Sequence, residues 1–408
     1  MERHGCVSRR LWFVAGLLGS VAISRAPAIA GTYTQLYGFT GGADGATPLS
    51  GVTPDSHGNV YGTTQAGGDL CKEDPYSGCG IVYQLDSTGK LTVVHTFAGG
   101  DGGSEPVTGV MLADGKIFGS AGGGSQADGM LYSMDLDGSD YTSLHQFAGK
   151  DGAYPAGLLR LTASGIYGIT SSGGAGYTTP STGNGVLFVV GLDGRFAVRH
   201  YFQGGTDGRV PNQIVVDALG NVFGSTSGGG GGCPAGSSCG AIFEYSPSSD
   251  TYSIIYRFQK LSDGYGPALG AIDSSGTLYG VASGGEYKHG TLFSLSPQNG
   301  TYTFNLLTSF TSHEPFDGPS NPPSLSSDGA IVGATDTYLY AYHHGTLSTV
   351  TTNDAHGVPY IEPGGPFYVG RGSVVYGTSV TGGITPCVSA SGDKDPNGCG
   401  TIFAYAPY

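Results

Sequence analysis

One short phrase recurs seven times along the 408-residue chain. It reads VYGTT (60–64), IFGSA (117–121), IYGIT (166–170), VFGST (222–226), LYGVA (278–282), IVGAT (331–335) and VYGTS (375–379), at spacings of 44 to 57 residues. A second phrase follows each copy: GIVYQL (80–85), GMLYSM (129–134), GVLFVV (185–190), GAIFEY (240–245), GTLFSL (290–295), TYLYAY (337–342) and GTIFAY (400–405). With 76 glycines and 26 tyrosines, the chain is poor in helix formers and rich in turn and strand residues. A repeat near 50 residues in such a chain predicts an all-β fold, a seven-bladed β-propeller of four-stranded antiparallel blades.

The first repeat shows the parse. LSGVTPD (49–55), VYGTTQ (60–65), GIVYQLD (80–86) and LTVVHTF (91–97) are short strands, A to D, bounded by Gly, Asn, Asp and Ser. The seventh repeat ends after its third strand, whereas GTYTQLYGF (31–39) is a lone fourth strand. The N-terminal strand is therefore expected to complete the last blade, which closes the ring and removes its open edges. Residues 31–408 are read as one propeller domain.

Residues 1–30 read as a signal peptide: Arg3, Arg9 and Arg10, a short apolar run over 11–23, and a small-residue cleavage site at 28–30. Without them the chain has 13 basic and 30 acidic residues, a net charge of −17. That balance argues against nucleic acid or an anionic membrane as partner. No later segment is apolar enough to insert into a bilayer, and the expected product is an exported monomer, periplasmic, extracellular or at the cell surface. The remaining cysteines fall in close pairs, Cys71/Cys79, Cys233/Cys239 and Cys387/Cys399, which in an exported chain predict disulfides. Zinc is the competing reading, but C-x₂-C spacing is absent and no His lies near.

The phrases YGTT, GxVFxL, LHxF and DGxxPxxGL together resemble the GloVer tandem repeat of exported bacterial proteins, and do so over the whole chain after residue 30. The resemblance implies a propeller-like fold and export. It implies no catalytic residues.

In such blades the B–C loops and the D-to-A crossovers share one face, and the terse A–B and C–D turns the other. The B–C loops at 66–79, 172–184, 227–239 and 381–399 are long and irregular, and all six paired cysteines lie in them. Binding is expected on this long-loop face. Its crossovers carry Asp44, Asp101, Asp151, Asp207, Asp263 and Asp317, with Asp354 less regular, each followed by Pro (48, 106, 155, 211, 267, 322, 359). Sevenfold recurrence reads as a hinge: Asp accepting a backbone N–H two residues on, Gly left-handed, Pro stiffening the next strand. An acidic rim that binds a cation is the functional alternative.

Non-repeating residues carry the site candidates. Tyr76, Tyr177 and Tyr287 lie in B–C loops of this face and suit stacking on sugar rings, or loop packing. Arg160, Gln213 and Glu362 are polar residues of the channel strands. Asp393, Asp395 and Asn397 in DKDPNG match the opening of a calcium loop that lacks its closing Glu, so calcium is the one cofactor suggested. His95, His145 and His200 precede the strand-D Phe by two and read as packing residues. GSSCG (236–240) is no nucleophile elbow, because it sits in a Gly-rich loop before a strand. The favoured function is a non-catalytic propeller binding an extracellular polysaccharide or surface protein. The alternative is a glycan-active lyase or glycosidase with its site at the channel mouth.

Overall fold

The computed structural model describes residues 32–406 except 69–70, 72–77, 107, 180, 232–238, 260–261, 312–317, 336–337, 352–362, 384–386, 389–393 and 396–397. Seven four-stranded antiparallel sheets form a ring. In blade 1 the strands are Thr53–Pro54, Val60–Thr64, Ile81–Leu85 and Leu91–Thr96, ordered from the channel outward. Blades 3, 4 and 5 have longer inner strands, Ala153–Thr162, Arg209–Val216 and Tyr265–Ile272. Blade 6, whose phrases are most degraded, still forms four strands. Blade 7 takes its outer strand from the N-terminus: Thr32–Gly38 pairs antiparallel with Thr401–Ala406. The ring closes as the chain ends suggested.

The two recurring phrases are two halves of one contact. A Cβ on Gly62 would lie 2.3 Å from the Tyr83 hydroxyl of the same blade. The same clash awaits at Gly119 with Tyr132, Gly168 with Phe188, Gly224 with Phe243, Gly280 with Phe293, Gly333 with Tyr340 and Gly377 with Phe403. Strand B needs Gly because the strand-C ring lies flat across it. That ring then meets the Phe ending strand D of the preceding blade. Phe39–Tyr83, Phe97–Tyr132, Phe147–Phe188, Phe202–Phe243, Phe258–Phe293 and Phe310–Tyr340 have centroids 5.0–5.4 Å apart. Each such pair adds about 0.5–1.5 kcal/mol beyond its buried area. The aromatic before the strand-B Gly is buried in blades 1 to 4 (Tyr61, Phe118, Tyr167, Phe223) and half-buried at Tyr279 and Tyr376.

A second contact joins blade to blade at the long-loop end. The residue before the crossover Pro donates its N–H to a carbonyl just before strand C of the preceding blade. The pairs are Thr47 to Cys399, Glu105 to Cys79, Tyr154 to Asp128, Val210 to Asn184 and Gly266 to Cys239, at 2.7–2.9 Å. The Pro itself packs on the next residue, a Gly at positive φ. A Cβ on Gly80, Gly129, Gly185, Gly240 or Gly400 would meet Pro106, Pro155, Pro211, Pro267 or Pro48 within 2.8 Å. At the sixth crossover Pro319, and not Pro322, fills this position, against Gly290. The sequence reading slipped by three residues there, and Pro322 lines the channel instead.

Cys71–Cys79 and Cys387–Cys399 form disulfides, and Cys239 is disulfide-bonded. Cys233 lies outside the described residues. Cys79, Cys239 and Cys399 are the residues whose carbonyls receive the next blade's N–H, so the disulfides hold that contact in blades 1, 4 and 7. No helix among the described residues is long and apolar enough to cross a membrane.

Candidate functional site: the long-loop face

Crossovers and B–C loops lie against each other, as the bridges Ala46–Ala66, Ser104–Gly122, Pro319–Thr335 and Pro363–Ser379 show. The recurring aspartates are buttressed within this layer. Asp44 accepts from the Tyr37 hydroxyl at 2.9 Å and Asp263 from that of Tyr256 at 3.0 Å. Nε2 of His145 lies 2.9 Å from Asp151, and Nε2 of His200 lies 2.9 Å from Asp207. The strand-D His or Tyr is thus the partner of the hinge Asp as well as a packing residue. His145 stacks on Phe196, His200 on Tyr252 and Tyr256 on Phe304, all from the next blade.

The hydrogen-bond pattern of the hinge differs from the expected one. Asp44, Asp207 and Asp263 accept from the N–H four residues earlier, at Thr40, Gln203 and Gln259, and Asp151 from Ala148 three earlier. The carboxylate reaches back to close the end of strand D. The forward pattern belongs to the opposite face: Asp55, Asp86, Asp217 and Asp273 each accept from N–H groups two and four residues on. Blade 1 is the exception among the hinges. Asp101 sits in a 3-10 turn, Gly100–Gly102, and His95 stacks on Tyr141, whose hydroxyl donates to the Gly102 carbonyl at 2.8 Å. Asp317 and Asp354 lie outside the described residues.

Burial opposes the Asp151 charge, but the His145 bond and the Ala148 N–H outweigh it and hold the carboxyl below its usual range. Tyr37 is pushed up to about 12 by burial and by the bonded Asp44. Among the described residues no three His, Cys, Asp or Glu side chains gather as a metal site. Asp393 and Asn397 lie outside the described residues. The backbone of Asp395 pairs with that of Cys387 in a two-stranded ladder.

The remaining candidates are scattered. Tyr76 and Glu362 lie outside the described residues. Tyr287 is exposed in the B–C loop of blade 5. Tyr177 is half-buried over Gly149, and its hydroxyl donates to Asp128 at 3.0 Å. Gln213 lines a channel cavity of about 230 Å³. Arg160 sits opposite Tyr167, near the A–B turn and so toward the other end of the channel. Burial pushes its guanidinium down to about 10, and it makes no ion pair among the described residues.

Three exposed tyrosines escaped the sequence reading: Tyr154, Tyr201 and Tyr265. With Tyr287 they are the four exposed tyrosines among the described residues, and all four lie at the long-loop end. Tyr154 ends a crossover at φ 55°, and Tyr265 lies against Gly284, three residues before Tyr287. Tyr201 closes strand D of blade 3 beside Gly174 of that blade's long loop. The exposed Leu161, Leu192 and Leu219 belong to the tight-turn end. A signal was present: Tyr154 and Tyr265 follow Asp-Gly closely, where the other repeats place no aromatic.

Also unforeseen was Asp128, 1% exposed, whose Oδ1 has no partner among the described residues. It holds the position that Cys79 holds in blade 1, and its bond to Tyr177 ties the loops of blades 2 and 3 where no disulfide is present. At the tight-turn end, burial and then the charge of Asp217 raise the Glu244 carboxyl. The Asp217 carboxylate is itself committed to Leu219 and Asn221.

Residues 22–180 match the family model of the Gloeobacter/Verrucomicrobia repeat. The resemblance to the GloVer repeat holds over that stretch. No curated protein matches the chain. Among solved structures, the extracellular domain of BT4673 from B. thetaiotaomicron, assigned to a hybrid two component system, is similar at TM-score 0.58 and 11% identity. The match covers 91% of this chain and 40% of that one. The chain thus spans about 40% of the length of that domain. A gluconolactonase from Xanthomonas campestris aligns at TM-score 0.44 and 11% identity, over 92% of this chain and 89% of the other. Likeness at such identity is one of fold.

Proposed function

We propose that the protein is an exported, non-catalytic propeller that binds an extracellular polysaccharide through its long-loop face. The observation that carries this reading is the placement of Tyr154, Tyr201, Tyr265 and Tyr287, all exposed and all at one end of the ring. An exposed Tyr offers a flat apolar face and a hydroxyl at little cost in side-chain order, which suits the C–H face and hydroxyls of a sugar ring. The scaffold beneath is repetitive and rigid, so what differs among blades is what a ligand reads. Disulfides in the same loops suit an oxidising compartment. The net charge of −17 after residue 30 favours a neutral glycan over an acidic one.

The test is a glycan array probed with residues 31–408, in calcium and in EDTA. The expected result is retention on one neutral polysaccharide class. Loss of that retention in EDTA and its return with calcium would show that binding needs a divalent cation. Silence across the array, with capture of a surface protein instead, would overturn the polysaccharide reading.

A further inference from the structure

The channel cavity is built unlike the hinges around it. It lies where the inner strands leave the crossovers, and blades 1, 2, 3, 4, 6 and 7 all contribute to it. Its volume is about 230 Å³, below that of drug-sized ligand sites. Among its described lining residues none carries a charge and none is aromatic. A charged ligand would lose its hydration there with no opposite charge among the described lining residues to meet it, and a flat heteroaromatic ring would find none of those residues to stack on. The walls combine the C–H surfaces of Leu158 and Pro366 with the polar groups of Ser50, Thr108, Gln213 and Asn321.

Most of those polar groups are already committed to partners within a blade or in the next one. The Ser50 hydroxyl bonds that of Thr63 at 2.9 Å, and the Thr108 hydroxyl bonds that of Ser120 at 2.6 Å. Asn321 donates to the Gly365 carbonyl at 2.9 Å and accepts from the Ala334 N–H at 2.8 Å. Gln213 is the exception: its amide makes no hydrogen bond to any described residue, yet it lines the cavity. One free donor and acceptor pair in a neutral, partly apolar, six-sided space is suited to a compact ring that is itself neutral and edged with hydroxyls.

We propose that this channel cavity is a subsite for a single neutral sugar ring, the terminal unit of a glycan held on the face above, with the Gln213 amide bonding its hydroxyls. The inference rests on the polysaccharide reading for the chain outside the channel, but the subsite is testable without it. The probes are the methyl glycosides of glucose, galactose, mannose and N-acetylglucosamine, with glucuronate as the charged control, followed by saturation-transfer NMR. At least one neutral glycoside is expected to bind and glucuronate to give no signal. Gln213→Ala is expected to weaken that binding about two- to tenfold, as loss of one or two hydrogen bonds should. Leu158→Trp, which fills the cavity, is expected to abolish it, with melting temperatures recorded for both variants to show that the ring is intact. If Leu158→Trp does not fold, Gln213→Ala alone decides. Absence of binding by every neutral glycoside, or binding indifferent to Gln213→Ala, would overturn the subsite. If polysaccharide retention survives in those variants and falls only when the surface tyrosines are replaced, the subsite fails while the face reading stands.

Discussion

At the scale of single residues, the recurring phrases resolve into pairs. The strand-B Gly exists for the strand-C ring, and the hinge Asp exists for the strand-D His or Tyr. One position in this scheme is unsatisfied in three blades. The hydroxyls of Tyr83, Tyr132 and Tyr340 are buried without a partner among the described residues, and blades 3, 4, 5 and 7 place Phe there. An unpaired buried hydroxyl costs about 1–3 kcal/mol. Tyr83→Phe and Tyr132→Phe are therefore expected to stabilise the protein by about 1 kcal/mol in denaturant melts, and a loss of stability would contradict the assignment. The hinges set the pH limits. Asp151 is held below its ordinary value of 3.8, so its contribution is complete above that pH and is lost as pH falls through the lowered value. Tyr37 is raised from 10.0 to about 12, so its contribution is complete below pH 10.0 and is lost as pH rises toward about 12. Stability is expected to fall below about pH 4 and above about pH 10. Tyr37→Phe should weaken the alkaline arm and leave the acid arm unchanged.

At the scale of strands and crossovers, five of the blade-to-blade junctions are fastened by a residue at positive φ. Thr47, Glu105, Tyr154 and Val210 take φ of 48–56° before their Pro, and Gly266 takes 57°. Such a conformation costs of order 1–3 kcal/mol in a non-Gly residue, most in a β-branched one. It persists because the N–H reaches the preceding blade's carbonyl. Val210→Gly is expected to be stabilising or neutral and Gly266→Val destabilising by about 1–3 kcal/mol, measured by urea unfolding. Equal effects of the two would mean that the crossover relaxes freely. The strands themselves were legible in the sequence, since alternation and turn residues repeat with every blade. The fastening was not. It joins residues such as Tyr154 and Asp128 that lie in different repeats, and only the curvature of the ring brings them together. The His–Asp and Tyr–Asp pairs left a trace in their six- or seven-residue spacing, but His95 shares that spacing with Asp101 and makes no such bond.

At the scale of the whole molecule, closure depends on a strand carried by the N-terminus. Thr32–Gly38 supplies the outer edge of blade 7, and Thr47 and Pro48 fasten blade 1 to Cys399 and Gly400. Deleting residues 31–38 should expose the edge of Thr401–Ala406 and turn a single cooperative melt into a lower, broader one with self-association in sedimentation. An unchanged melt would contradict ring closure. The candidate site was less legible than the ring. Tyr287 lies in a B–C loop and was readable as such. Tyr154 and Tyr265 sit inside crossovers that otherwise repeat, and Tyr201 sits on a strand. Their exposure follows from where each strand ends, which a sequence period fixes only to within a few residues.

The division of labour is the central claim: repeated residues hold the ring, and the tyrosines that do not repeat make it bind. The most direct measurement compares polysaccharide affinity of the intact protein with that of a variant in which Tyr154, Tyr201, Tyr265 and Tyr287 are all Ala. The predicted result is a loss of about tenfold or more, two or more stacking contacts at about 0.5–1.5 kcal/mol each, with the melting temperature preserved. Binding that survives the four substitutions in a folded protein would contradict it.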